Sequence, residues 1–236
     1  MSNLEQEVDL LFDYFDKVRL SINNVEFSED DEISKSILLC SLMDTLSRCI
    51  YPKIPNRDRF IFFVEDFSGW ENKNRISLVQ LYYFIKDEKD KIYQPIKSYV
   101  ENKVSKMLRG AIYKTSFDEY LYDLKYLKVI ESEIQKFSYA NLLYKFRNHL
   151  VHEFRTPGYG SNFSKSTEIH YYSLTHISDK PAYTTWELVF PAAYLSNLVM
   201  KSIKNSRNYC LEVKYNPYDS FEFNTLWLNK AEIKRK

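Results

Sequence analysis

Apolar residues recur every three or four positions through most of the chain, the spacing that lines one face of an α-helix. Leu4, Val8, Leu11, Phe12, Phe15, Val18 and Ile22 share such a face, with Glu5, Glu7, Asp9 and Asp13 opposite, and predict an amphipathic first helix. The acidic Ser28-Glu29-Asp30-Asp31-Glu32 then resembles a helix start, where carboxylates favour the positive end of the dipole. A second helix is expected from Ile33 to Tyr51, stopped by Pro52. Its Ile37-Leu38-Leu39-Cys40, Leu42-Met43 and Leu46 leave it apolar nearly all round, as in a central helix. A third covers Arg57 to Phe67 and stops near Gly69; a fourth covers Ile76 to Ile85. Ile96 to Leu108 predicts a further helix. From Phe117 through about Phe154 the pattern is strong, carried by Leu121, Leu124, Leu127, Ile130, Ile134, Phe137, Ala140, Leu143 and Phe146, with a break expected near Ser132 or Ser138.

The texture changes at Thr156-Pro157-Gly158-Tyr159-Gly160-Ser161-Asn162, which predicts a loop. Ile169 to Thr175 and Tyr183 to Phe190 are rich in Tyr, Thr, Val and Trp, and Ser178-Asp179-Lys180-Pro181 between them is turn chemistry, so a β-hairpin is expected. Pro191 suits the first turn of a helix running to about residue 212, buried through Tyr194, Leu195, Leu198, Val199 and Ile203. The fold class is mainly α: one helical domain over 1–236, with a β-hairpin near residues 169–190, inserted at about 166–190.

Composition sharpens this picture. The 236 residues are 44% apolar and 17% aromatic, which excludes a disordered chain, and only 4 Gly and 7 Pro interrupt the helices. A formal net charge of +1 announces no nucleic-acid or membrane partner by itself, so any basic surface is local. Cys40, Cys49 and Cys210 lack the spacing of a disulfide framework or zinc ribbon, and reduced cytoplasmic thiols are expected. The acidic start Met1 to Glu7 is unlike a signal peptide, and no apolar run approaches the roughly 18 residues of a membrane span. A cytoplasmic protein with no membrane partner is the expectation.

The four histidines all fall between positions 149 and 176, and the first two belong to Arg147-Asn148-His149-Leu150-Val151-His152. Asn148 and His152, four apart, share a helical face; Arg147 lies about 7.5 Å along the helix from His152 and about 140° around it. A fixed cation, an amide and an imidazole suit a phosphodiester. Metal-independent RNA cleavage needs a base for the 2′-hydroxyl, an acid for the leaving oxygen and fixed charge for the transition state. Histidine serves the first two near neutral pH, and arginine the last. One segment supplies one clear His and one Arg, whereas two segments across a shared groove supply two of each, so the economical design is a homodimer. The blander alternative is that Arg147 and His152 cap the C-terminal end of a helix.

This segment, in a largely helical chain, resembles the HEPN superfamily (higher eukaryotes and prokaryotes nucleotide-binding domain), whose hallmark is Arg, four to six residues, then His, with Asn favoured after the Arg. The likeness covers the six-residue motif and a helical layout of about 150 residues. It implies an up-and-down helical bundle, a dimer that juxtaposes two motifs, and a metal-independent endoribonuclease, often a toxin or antiviral effector with an antitoxin or other regulatory protein as partner. By that likeness Arg147 and His152 carry catalysis, with Asn148 supporting. Asp44 on the second helix is the acidic residue expected to assist, with His149 alongside; the alternative for Asp44 is a salt bridge to Arg48. Some toxin members carry a Tyr two residues after the His that a partner modifies, and here Phe154 stands in that place.

Further substrate contacts are expected from Tyr159, placed to stack on a base, and from Lys201, Lys204 and Arg207 on the last predicted helix. Lys97, Lys103, Lys106 and Arg109 form a similar group. A solvated helix face is the plainer explanation for either cationic group. The chemical rival is a zinc site from His149 and His152 with Glu153 and a folded-back His170 or His176. The cation beside the cluster opposes it, so no metal or cofactor is expected. The competing function is a non-catalytic RNA- or protein-binding module with the same groove.

Overall fold

A computed structural model describes residues 3–26, 31–108, 112–114, 118–124, 131–158, 166–177 and 183–220. The fold is mainly helical, a helical bundle with an antiparallel hairpin. Five helices form the bundle: α1 (Asn3–Asn24), α2 (Asp31–Ile50), α3 (Asn56–Phe67), α8 (Tyr139–Glu153) and α9 (Ala192–Glu212). Between α3 and α8 lie α4 (Leu78–Ile85), α5 (Gln94–Ser105) and the single turns α6 (Leu121–Leu124) and α7 (Glu131–Ile134). The strands are β1 (Arg75–Ile76), β2 (Ile112–Lys114), β3 (Glu119–Tyr120), β4 (His170–His176) and β5 (Tyr183–Val189).

The nearly all-round apolar α2 is the central helix, packed on α1, α3, α8 and α9. Its Leu39, Met43 and Leu46 are buried with Phe12 and Phe15 of α1, Phe60 and Phe63 of α3, Leu143 and Leu150 of α8, and Leu195 and Val199 of α9. Burying such side chains is worth about 1.5–3 kcal/mol each, which is what overrides helix-end fraying here. The predicted spans of α1, α2, α3 and α9 are met within two residues, except that Ser28 to Asp30, the expected acidic lead into α2, lies outside the described residues. Pro191 sits one position before the helix, and Glu32 Oε2 accepts the Ala192 N–H at 3.0 Å, so a carboxylate from α2 satisfies the start of α9.

Two expectations are corrected. The strong pattern from Phe117 to Phe154 is not one helix: β3, α6, α7 and the 3-10 turn Gln135–Phe137 precede α8. The break falls at Ser138, whose Oγ caps α8 by accepting the Asn141 N–H and whose backbone bridges to Ile76. Ile76 does not open α4. It pairs with Glu119 in a two-residue antiparallel ladder, and Ser77 caps the helix by accepting the Gln80 N–H at 3.1 Å. The predicted hairpin forms, in register from His170↔Val189 to His176↔Tyr183, but β2 adds a third strand at its outer edge. Its turn residues 178–182 lie outside the described residues.

That sheet belongs to a second core. Ile76, Leu78, Leu81 and Ile85 pack with Ile96 and Val100 of α5, Leu124, Ile134, Phe137, and Tyr171 and Trp186 of the hairpin. The hairpin therefore closes a core of its own with α4 and α5, beyond covering the bundle. The two cores meet at α8. Tyr139, in its first turn, has its ring 5.6 Å from that of Trp70, while its hydroxyl and that of Tyr171 both donate to the buried Asp118 carboxylate. The Leu78 N–H donates to the same carboxylate at 2.8 Å, and Ser77 Oγ lies 2.6 Å from the Tyr171 hydroxyl. Burial pushes the Asp118 carboxyl up to about 7, against the lowering effect of these donors and of Arg75.

Candidate active site

The last three turns of α8 carry Arg147, Asn148, His149 and His152, and the helix ends immediately beyond them on Phe154, whose φ of 54° is left-handed. Leu143, Phe146 and Leu150 anchor this end in the bundle core and fix which way the polar residues face. Arg147 is turned inward and is 8% exposed. Its Nη2 donates to Asp44 Oδ2 at 2.8 Å and its Nη1 to Asn148 Oδ1 at 2.9 Å, while Nε has no hydrogen-bond partner. The amide and the carboxylate thus clamp the guanidinium at two of its three nitrogens.

Asp44 is the residue the sequence singled out on the second helix, and it reaches Arg147 rather than Arg48, which is exposed. Its other oxygen, Oδ1, stands 3.5 Å from Arg59 Nη2 of α3. Arg59 also donates through Nε to Ser47 Oγ and through Nη2 to Asn56 Oδ1. Arg59 was not expected at the site. The only sequence signal for it is a cation set beside Phe60 and Phe63 on a helix whose neighbours are core residues. One carboxylate between two guanidiniums is a charge-dense centre that binds three helices together.

His152 is exposed and makes no hydrogen bond or ion pair among the described residues. His149 Nδ1 lies 2.9 Å from Glu153 Oε1, an ion pair whenever the imidazole is protonated, and Arg155 holds the other Glu153 oxygen at 2.5 Å. Arg147 and His152 therefore point to different sides of α8, and Asn148, beside the guanidinium and on the His152 face, is the link between them. Phe154, in the position of the modifiable tyrosine, is 73% exposed.

The remaining expected contacts are not gathered here. Arg207 is spent on Asp9 of α1, with Nε and Nη2 at 2.8 and 2.7 Å from its Oδ1. Lys201 lines a cleft of about 490 Å³ with Trp70, Arg75 and Tyr194, away from the motif, and Lys204 is exposed on the same helix. Lys103 is paired with Glu119, and Lys97 donates to the Lys86 carbonyl. Tyr159 and Arg109 lie outside the described residues. His170 and His176 do not fold back onto the motif: they sit at the two ends of β4, His170 Nδ1 against the Glu168 carbonyl and His176 stacked on Tyr183. Among the described residues no three His, Cys, Asp or Glu side chains are grouped to hold a metal ion. Burial pushes the three free thiols of Cys40, Cys49 and Cys210 up to about 12, so none is an activated nucleophile.

No protein-family model matches the chain, and neither a curated protein nor a solved structure matches it. Among the described residues no helix is long and apolar enough to cross a membrane.

Proposed function

We propose that the protein is a HEPN-type, metal-independent endoribonuclease that cuts RNA at a site shared by two copies of the chain. The observation that carries this reading is the arrangement at the end of α8: Arg147 clamped by Asp44 and Asn148, with an unengaged, exposed imidazole one turn further on. Asp44 and Asn148 hold the guanidinium in one orientation, so its charge is fixed before substrate arrives. His152 is free to take the 2′-hydroxyl proton in one copy and to protonate the leaving oxygen from the other. Because Arg147 and His152 diverge around the helix, one chain does not surround a linkage with both. A second copy brought against this face supplies the missing imidazole, which supports a homodimer.

The role of a toxin or antiviral effector, held in check by an antitoxin or other regulatory protein, belongs to the same reading, as does a cytoplasmic setting, in keeping with three free buried thiols. Purified protein incubated with RNA in EDTA tests it. Cleavage that persists in chelator and is abolished by His152→Ala supports the enzyme, together with a dimer by sedimentation. A monomer cutting at full rate overturns the composite site.

One observation favours a second reading. Arg147 is buried and already neutralised by Asp44, as a structural ion pair would be, which suits a non-catalytic RNA- or protein-binding module. Tight RNA binding without products is its signature.

A further inference from the structure

Of the cationic groups expected from the sequence, Arg207 and Lys103 are paired with carboxylates, and a different group stands on the side of α8 that carries Asn148 and His152. Arg57 of α3, Lys136 in the turn before α8 and Lys145 of α8 are all exposed and converge on one surface. Arg57 Nη2 donates to Asn141 Oδ1 at 2.7 Å, and Arg57, Lys136 and Asn141 line a common cleft of about 360 Å³ with Ser132 and Gln135. Lys145 Nζ lies 5.8 Å from the Phe137 ring centre, next in sequence to Lys136. Its ammonium is held below the usual lysine range by burial and then by the charges of Lys136 and Arg57, so the three cations feel one another. Asp58 pairs with Arg57 at 3.2 Å from the rim, and Glu65 also lines the cleft. Lys136 and Lys145 have no carboxylate partner among the described residues.

Helical geometry connects this group to the motif. Asn141, Lys145, Asn148 and His152 stand at intervals of four, three and four, so they fall within about 60° of one another around α8 and form one stripe about 16 Å long. Three cations against the two carboxylates of Asp58 and Glu65 leave an excess of positive charge on this surface, and an incoming polyanion offsets it.

We infer that Arg57, Lys136 and Lys145 form a phosphate-binding track that receives the backbone of single-stranded RNA flanking the bond held at Asn148 and His152. The track rests on the ribonuclease reading for its substrate, and it adds the direction in which the strand leaves the site: along α8 toward its N-terminal end. Ser132 and Gln135 offer neutral hydrogen-bonding groups beside the cations, so the contacts follow the backbone and carry no base preference.

Two measurements test it. Fluorescence anisotropy with a labelled hexaribonucleotide is run on the uncleaving His152→Ala protein, with and without Arg57→Gln, Lys136→Gln and Lys145→Gln. The triple change should weaken binding at least about tenfold at low salt and lower the salt slope by about 2. The Lys136→Gln/Lys145→Gln pair, which leaves the Arg57–Asn141 contact intact, should lower the slope by about 1. In the second measurement, proteins with His152 intact cut a dinucleotide, too short to reach the track, and the hexanucleotide. The triple change should leave dinucleotide turnover unaltered and raise KM for the hexanucleotide. Failure of wild type to cut either substrate sinks the ribonuclease reading while the anisotropy still decides the track. Equal affinity and equal salt slope in wild-type and triple-variant backgrounds overturn the track.

Discussion

Asp44 accepts its 2.8 Å hydrogen bond from Arg147 across 103 residues of chain, and the same carboxylate faces Arg59 on its other side. Removing a partner from a mostly buried pair leaves an uncompensated charge, and here it leaves two guanidiniums facing each other. Asp44→Ala is expected to cost about 3 kcal/mol in chemical denaturation, the low end for a buried pair because Asp44 keeps some solvent contact. Arg147→Met combined with Asp44→Leu should recover much of that loss in stability while activity stays absent.

His152 should behave in the opposite way. Its side chain is exposed and unengaged, so His152→Ala should change stability by less than about 0.5 kcal/mol. RNA cleavage should fall by about 10²–10⁴, the usual worth of a general acid or base. Parallel thermal melts and single-turnover cleavage check the two halves; a loss of activity accompanied by a large loss of stability would refute this division of labour.

Phe154 ends α8 in a left-handed conformation that costs a residue with a Cβ about 1–2 kcal/mol, and its ring lies largely in solvent. Phe154→Gly is therefore expected to stabilise the folded chain by about 1 kcal/mol in urea denaturation. A decrease in stability would mean that the aromatic ring contributes packing worth more than the strain.

The Asp118 carboxyl titrates near 7 in the folded chain and near 3.8 when unfolded, with burial the main cause. Below about 3.8 both states hold the proton. Between that value and about 7 only the folded state holds it, so the contribution of this group to stability is greatest in acid and declines as pH rises through that window. Tyr139, Tyr171 and the Leu78 N–H face the group, and Arg75 lies nearby. Asp118→Asn should flatten the decline when urea midpoints are compared between pH 4 and pH 8. An unchanged pH slope would contradict the assignment.

The long amphipathic helices were legible because their periodicity reports burial directly: Val8, Phe12 and Phe15 on α1, Leu39 and Leu46 on α2, Leu195 and Val199 on α9 all reach the core they predict. The stretch from Phe117 to Ser138 was not. Its Leu124, Ile134 and Phe137 serve the second core through elements of three or four residues, too short for a period to show, and Ile76↔Glu119 is a pairing between segments 43 positions apart that no local pattern encodes. The site divides in the same way. The motif on α8 is contiguous and could be read, and Asp44 could be named because the resemblance implies an acidic residue on an earlier helix. Arg59 and the group Arg57, Lys136 and Lys145 depend on α3 packing beside α8, and linear spacing carries no trace of that.

Tyr139 at one end of α8 is riveted to the hairpin through Asp118, and the motif occupies the other end of the same 15-residue rod. A helix about 22 Å long transmits a push more readily than it bends. The rod that bears the imidazole at its far tip is thus seated at its near tip on the three-stranded sheet.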